Sequence, residues 1–217
     1  MDVEDIEEIG TRIEIGCEGL SKDDINNEIL NRIGDLTEVK LKLSNYDHHD
    51  LESIILPNLI IEFDCSDNEI TSFAGLALPN SLEIFDCGGN NIKSFVGLKL
   101  PNSLIEFNCS YNQIISYFID DSLTNLILPN SLTKFWCFGN KISSIENFVF
   151  PPHLRYLMLD SETKFINPKF NSVLEVKLNN EVTYDHKLYT KDQLIFLYFN
   201  FNFDKYQQYD DILNLIK

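Results

Sequence analysis

Apolar positions recur along this chain as a repeated phrase. Between Leu56 and Leu159 the sequence reads LPNLIIEFDCSDNEI, LPNSLEIFDCGGNNI, LPNSLIEFNCSYNQI and LPNSLTKFWCFGNKI. Cys65, Cys87, Cys109 and Cys137 hold one place in it and Leu159 takes that place in a fifth copy, at steps of 22, 22, 28 and 22 residues. A fixed period in this range marks a solenoid, in which each unit buries its apolar edge against its neighbours. Within a copy, Phe85 and Cys87 lie two apart and share one face of a short strand, while Ile84, Asp86 and Gly88 point to the other. Stacked copies place these strands side by side in a parallel sheet. Asn68, Asn90, Asn112 and Asn140 fall where the chain leaves the strand, where an amide can bond backbone groups of its own coil and the next. Pro57, Pro79, Pro101 and Pro129 fix φ and remove a donor, so the returning half of each coil should be extended or turn-like.

The phrase L-x-x-F-x-C-x-x-N-x-I, carried by Leu82, Phe85, Cys87, Asn90 and Ile92, resembles the leucine-rich repeat, with Phe and Cys in two leucine places. The LPNSL lead-in is similar to the short repeats of bacterial effector proteins, and the strand Cys to a variant found in bacteria and giant viruses. The resemblance implies an arc with a parallel concave β-sheet, an extended or turn-rich convex side and helical caps at both ends, in the α/β class of repeat solenoids. It also implies a host-interacting or substrate-recruiting role. Effectors of that type often carry a ubiquitin-ligase domain with a catalytic Cys, for which the remaining residues leave no room.

The flanks follow the same logic. Arg12 to Cys17 alternates as a strand would, and Ser21-Lys22-Asp23-Asp24 reads as a capping box. Ile25, Ile29, Leu30 and Ile33 then fall on one helical face as far as Gly34, so residues 1–35 form an N-terminal cap closing the first repeat. Leu36, Val39 and Leu41 restore the repeat spacing, which makes 36–56 a divergent copy with Ser44 in the Asn place. The third copy carries six extra residues around Tyr117 to Asn125. Leu154, Leu157 and Leu159 form a further strand, with Glu162 in the Asn place, and Val173, Val176 and Leu178 another. Leu194, Leu197, Phe199 and Asn202 fit a last copy, although Thr190-Lys191-Asp192-Gln193 equally opens a helix. The solenoid thus spans 36–203 in about seven coils, and Tyr206, Tyr209, Ile212, Leu213 and Ile216 form the closing helix of 204–217.

Charge narrows the partners. The net charge is −17, and residues 1–30 hold ten acidic side chains against two basic ones. That balance argues against nucleic acid and anionic membrane, which need a basic surface. No run approaches the ~18 apolar residues of a membrane span. The acidic start is unlike a signal peptide, so a cytoplasmic or host-cell cytosolic location is expected.

Candidate chemistry is sparse. Four thiols along one row, one per coil, cannot converge on a zinc ion, and Cys behaves as a small buried apolar residue in a reduced compartment. Cys17 stands off that row. His48 and His49 between Asp47 and Asp50 read as a polar rim loop, since no further ligand is identifiable. No phosphate loop, nucleophile elbow or paired acids stand out. The expectation is a non-enzyme without cofactor or metal.

The outward register positions are more informative. They read Glu62, Asp64, Ser66, Asp67; Ile84, Asp86, Gly88, Gly89; Glu106, Asn108, Ser110, Tyr111; Lys134, Trp136, Phe138, Gly139; and Tyr156, Met158, Asp160. The front of this face is acidic and its middle aromatic, with Trp136 and Phe138 exposed. Clustered large apolar side chains at a surface mark interaction sites. The expected function is a protein- or peptide-binding module, in which Tyr111, Trp136, Phe138, Tyr156 and Met158 anchor the partner and Glu62, Asp64, Asp67 and Asp86 steer a basic segment of it. The alternative is an adaptor subunit of an enzyme complex such as a ubiquitin ligase, docking through residues 1–35. An aromatic face would also suit carbohydrate.

Overall fold

Each copy of the phrase contributes one short strand to the main sheet, because only the Phe-x-Cys core of the copy alternates apolar and polar before the Asn turns the chain away. The structure, a computed structural model, describes residues 11–115, 126–146, 151–160, 163–166 and 175–178. In chain order its elements are β1 (Thr11–Gly16), α1 (Lys22–Ile33), β2 (Val39–Ser44), β3 (Ile60–Asp64), β4 (Ile84–Asp86), β5 (Glu106–Asn108), β6 (Lys134–Trp136), β7 (Ser144–Glu146), β8 (Tyr156–Leu159), β9 (Lys164–Ile166) and β10 (Glu175–Leu178). Strands β1, β2, β3, β4, β5, β6, β8 and β10 lie in that order in one open sheet, every neighbour parallel. A second, two-stranded sheet pairs β7 with β9. One parallel strand per coil is the arrangement of a leucine-rich-repeat-like solenoid.

Register aligns like with like. Phe63, Phe85, Phe107, Phe135 and Leu157 are direct partners across β3, β4, β5, β6 and β8. All five are buried, and the four phenylalanine rings stack at 5.7, 5.5 and 5.6 Å between centroids. Phe73 and Phe95, from the returning halves, stack on each other at 6.3 Å and meet Phe85 and Phe107 edge-on. Burying each ring contributes about 1.5–3 kcal/mol, and each stacked pair about 0.5–1.5 kcal/mol more. Cys65, Cys87, Cys109 and Cys137 form the adjoining buried row, all as free thiols.

At the strand exits the four asparagines do the same work in every coil. Asn90 Nδ2 donates to the Cys65 carbonyl of the preceding coil and to the Cys87 and Gly88 carbonyls of its own, while its Oδ1 accepts from Ile70 N–H. Asn68, Asn112 and Asn140 repeat this set with the equivalent partners. A second tie comes from the lead-in serines. Ser81, Ser103 and Ser131 donate from Oγ to the carbonyls of Ile60, Leu82 and Leu104 in the preceding coil. The proline of each lead-in accepts from the N–H three residues on, as at Pro79 and Leu82, so the returning half turns without a helix there.

The expected N-terminal strand is β1, which adds to the sheet beside β2, so 11–38 is itself a strand-bearing coil whose returning half is α1. The flank departs from expectation in two ways. The capping box at Ser21 and Asp24 is present, but the buried face of α1 is Ile25, Asn26, Ile29 and Ile33; Leu30 is exposed. Asn26 docks the helix onto the next coil, donating to the Ser53 carbonyl and accepting from Ile55 N–H. In β2 the frame also slips by two: Leu41 and Leu43, instead of Val39 and Leu41, take the Phe and Cys places. Val39, Leu41 and Leu43 all face inward, and a two-residue shift leaves the faces unchanged, so alternation could not distinguish the frames. The insertion at 117–125, the copy at 190–203 and the closing helix at 204–217 lie outside the described residues.

The Asn ladder makes a direct prediction. Asn90→Ala strips partners from buried backbone groups of two coils and should lower stability by about 2–4 kcal/mol, given about 1–3 kcal/mol for each buried group left unpaired. Asn58→Ala, which removes one exposed 3.3 Å bond to Asn80 N–H, should change it by less than about 1 kcal/mol. Urea unfolding followed by circular dichroism compares the two; equal losses would remove the ladder from its structural role.

Candidate functional site

The core-averted face of the sheet is made of register rows, and the rows carry the site. One row runs Arg12, Lys40, Glu62, Ile84, Glu106, Lys134, Tyr156; the next runs Glu14, Lys42, Asp64, Asp86, Asn108, Trp136, Met158. Lys40 and Lys42 lie directly across from Glu62 and Asp64, with Nζ–carboxylate distances of 3.9 and 3.5 Å. Those two acids of the expected acidic front are therefore each paired with a lysine. The alternation in Val39-Lys40-Leu41-Lys42-Leu43 carried that signal. Glu106 is paired in the same way, by Lys134.

The second row has a backbone duty as well. Asp64, Asp86 and Asn108 each use Oδ1 to accept the N–H two residues on, at Ser66, Gly88 and Ser110, with distances of 2.9, 2.8 and 3.0 Å. A short side chain that closes its own turn in this way fixes the strand exit. Asn108 Nδ2 then donates to both oxygens of Asp86, at 3.1 and 3.0 Å. Asp86 is thus held between its own turn and Asn108, and burial pushes its carboxyl above the usual range, with the charges of Asp64 and Asp67 adding to the effect. Asp67 sits beyond the strand end, exposed, in the left-handed region at φ 55°.

At β6 the row changes from acid and amide to indole. Trp136 faces outward, its ring 5.7 Å from that of Tyr156, with Lys134 Nζ 6.0 Å from its centroid. Phe138 meets Tyr111 edge-on at 4.8 Å. Trp136, Phe138, Tyr156 and Met158 are half-buried, Trp136 and Phe138 where exposure was expected, because each is flanked across the rows by another large side chain. Tyr111 is the exception, 60% exposed. Between the acid and aromatic halves lies a cavity of about 420 Å³, lined by Ile84, Asp86, Glu106, Asn108, Trp136, Phe138 and Met158. Asn108 and Ile84 were not among the expected site residues, although their register with Asp86 and Glu62 placed them on this face.

The other candidate groups are buried or held by neighbours. Burial, with the Asp47 charge as a second cause, raises the Cys17 thiol to about 11, and burial holds Cys65, Cys87 and Cys109 well above the normal thiol range. His48 bonds the Leu20 carbonyl, and Lys22 pairs with Asp50, so the rim loop is a structural joint to the first coil. Among the described residues no three His, Cys, Asp or Glu side chains converge for a metal, and no helix is long and apolar enough to cross a membrane.

No protein-family model matches the chain, and no curated protein matches it. Among solved structures it is similar to YopM from Yersinia enterocolitica WA-314, with 21% identity and a TM-score of 0.42 over 65% of this chain and 28% of that one. The chain thus spans less than a third of the length of that protein.

Two measurements test this account. Asp86→Asn and Asp50→Asn should alter the pH dependence of stability in opposite senses. The folded Asp86 carboxyl lies above its unfolded value, so its contribution is fully present at low pH and lost as pH rises through the folded pKa; wild type should gain on Asp86→Asn as pH falls from 7. The Lys22 bond lowers Asp50, so wild type should lose its advantage over Asp50→Asn as pH falls through the folded pKa. Thermal melts between pH 7 and 3 decide it, and slopes of the same sign would refute the assignment. Separately, the five buried cysteines should resist a thiol-reactive disulfide in the native protein and react fully in denaturant.

Proposed function

We propose that the protein is a binding module for a protein or peptide, and that the partner lies along the open, concave face of the sheet. The observation that carries this reading is that Trp136, Phe138 and Met158, with Tyr156 and Tyr111 packed against the first two, line one end of a 420 Å³ cavity whose other end is acidic. Aromatic and Met side chains are the residue types enriched at interface cores, and a cavity of that size takes one or two side chains of an extended ligand. The aromatic set anchors. Glu62, Asp64, Asp67 and Asp86 bias the face toward a partner with a basic segment, although the lysines opposite Glu62 and Asp64 leave Asp67 and Asp86 with most of that role.

The binding free energy in such interfaces concentrates in a few central aromatic residues. Selection of a displayed random-peptide library on the intact protein should yield binders that lose at least about tenfold in affinity to Trp136→Ala/Phe138→Ala. The exposed, far-side substitution Val96→Ala should leave them unchanged. Circular dichroism checks that both variants keep the fold. Binders that ignore the double substitution would move the site off this face, to the acidic front or the N-terminal segment.

A further inference from the structure

We infer that the cavity between Asp86 and Trp136 receives the guanidinium group of an arginine side chain, seated over Asn108 with one edge toward the Asp86 carboxylate and its plane on the indole. This inference rests on the reading that the open face binds a peptide, and it names the side chain that the face selects.

Three observations converge on a cation. First, the charges lining the cavity do not cancel. Glu106 is neutralised by Lys134, whereas Asp86 has no cationic partner among the described residues and receives only the Gly88 N–H and the Asn108 amide. The Asp86 Oδ2 atom accepts from Asn108 alone, so it keeps a lone pair for a further donor. Second, the indole already has a cation beside it, the chain's own Lys134 ammonium 6.0 Å from its centroid. That ammonium is paired with Glu106 and makes no ion pair with Asp86. Third, the spacing suits a flat group. Asp86 and Trp136 stand on β4 and β6, with Asn108 on β5 between them. Two strand spacings are roughly 9.5 Å between backbones, which leaves room above Asn108 for a planar group about one strand wide.

Arginine fits this place better than lysine. Guanidinium is weakly hydrated, planar and able to stack on an aromatic face while donating in its own plane. An ammonium would satisfy Asp86 but would lose more hydration in a cavity lined by Ile84, Phe138 and Met158. Asn108 cannot rotate to meet it, because Oδ1 is held by Ser110 N–H and Nδ2 by Asp86, so the floor is fixed before the ligand arrives.

The chain carries its own reporter, since Trp136 is its one tryptophan. Titrating the full protein with acetyl-arginine amide, at constant ionic strength, should change Trp fluorescence in a saturable way. Acetyl-citrulline amide has nearly the same shape without the charge and should bind at least about tenfold more weakly, with acetyl-lysine amide in between. Asp86→Asn should reduce the arginine response to the citrulline level, while Glu69→Gln, an exposed acid off this face, should leave it intact. Equal responses to arginine and citrulline, an arginine response that survives Asp86→Asn, or no saturable response at all would each overturn the inference. Its failure is separable from that of the binding reading. Selected peptides that need Trp136 and Phe138 but neither contain arginine nor sense Asp86→Asn would leave the peptide-binding face standing and remove the arginine site.

Discussion

A chain that leaves each strand of a parallel sheet for a tight turn must satisfy the backbone groups it strands there, and one amide per coil does so. Asn68, Asn90, Asn112 and Asn140 each accept one N–H and donate to carbonyls of two successive coils. Burying the turn without them would leave several polar groups unpaired at about 1–3 kcal/mol each. The amide also fixes the offset between coils, since it must reach both. The stacked phenylalanines, the buried thiols and the rows of the open face are consequences of that constant offset. Where the Asn is missing, other groups stand in. At the front Tyr46 stands in the Asn place, and its hydroxyl donates to the Asp50 carbonyl at 2.6 Å. At β8 the Asp160 carboxylate accepts the N–H groups of Gly139 and Asn140.

This dependence explains what was legible in the sequence. A constraint repeated at a fixed period writes itself as a period, so the strand positions, the inward Phe and Cys and the capping Asn could be read directly. The outward face followed from alternation. Legibility ended where the repeat's identity was shared among several solutions. In Val39-Lys40-Leu41-Lys42-Leu43 every alternate residue is apolar, and the frame was decided by pairing with β3, which no local pattern contains. The half-burial of Trp136 and Phe138 likewise depends on Tyr156 and Tyr111, one coil away on either side. The pairing of Glu62 with Lys40 is a cross-strand fact of the same kind.

The change of character along the open face also has a structural reason. Through β3, β4 and β5 the outward residue before the Cys is Asp64, Asp86 or Asn108, and each closes its own turn. An indole has no acceptor, so Trp136 cannot perform that task and projects across the face instead. Two of the acids that first suggest a charged docking surface, Asp64 and Asp86, are therefore occupied with backbone, and the residue that breaks their row is free of it.

A second row makes the same point through backbone conformation. Asn45, Asp67, Gly89, Tyr111 and Gly139 occupy the left-handed region, at φ between 51° and 67°. Asn, Asp and Gly tolerate it; a bulky aromatic residue does so at a cost on the order of 1–3 kcal/mol. The ring gains something in return. It lies over the Gly139 backbone, where a Cβ would come within 2.5 Å of Tyr111 Cδ1, and against Phe138. The side chain nevertheless stays 60% exposed. A row that elsewhere takes Asn, Asp or Gly thus admits an aromatic residue where the next coil offers a glycine for its ring to cover.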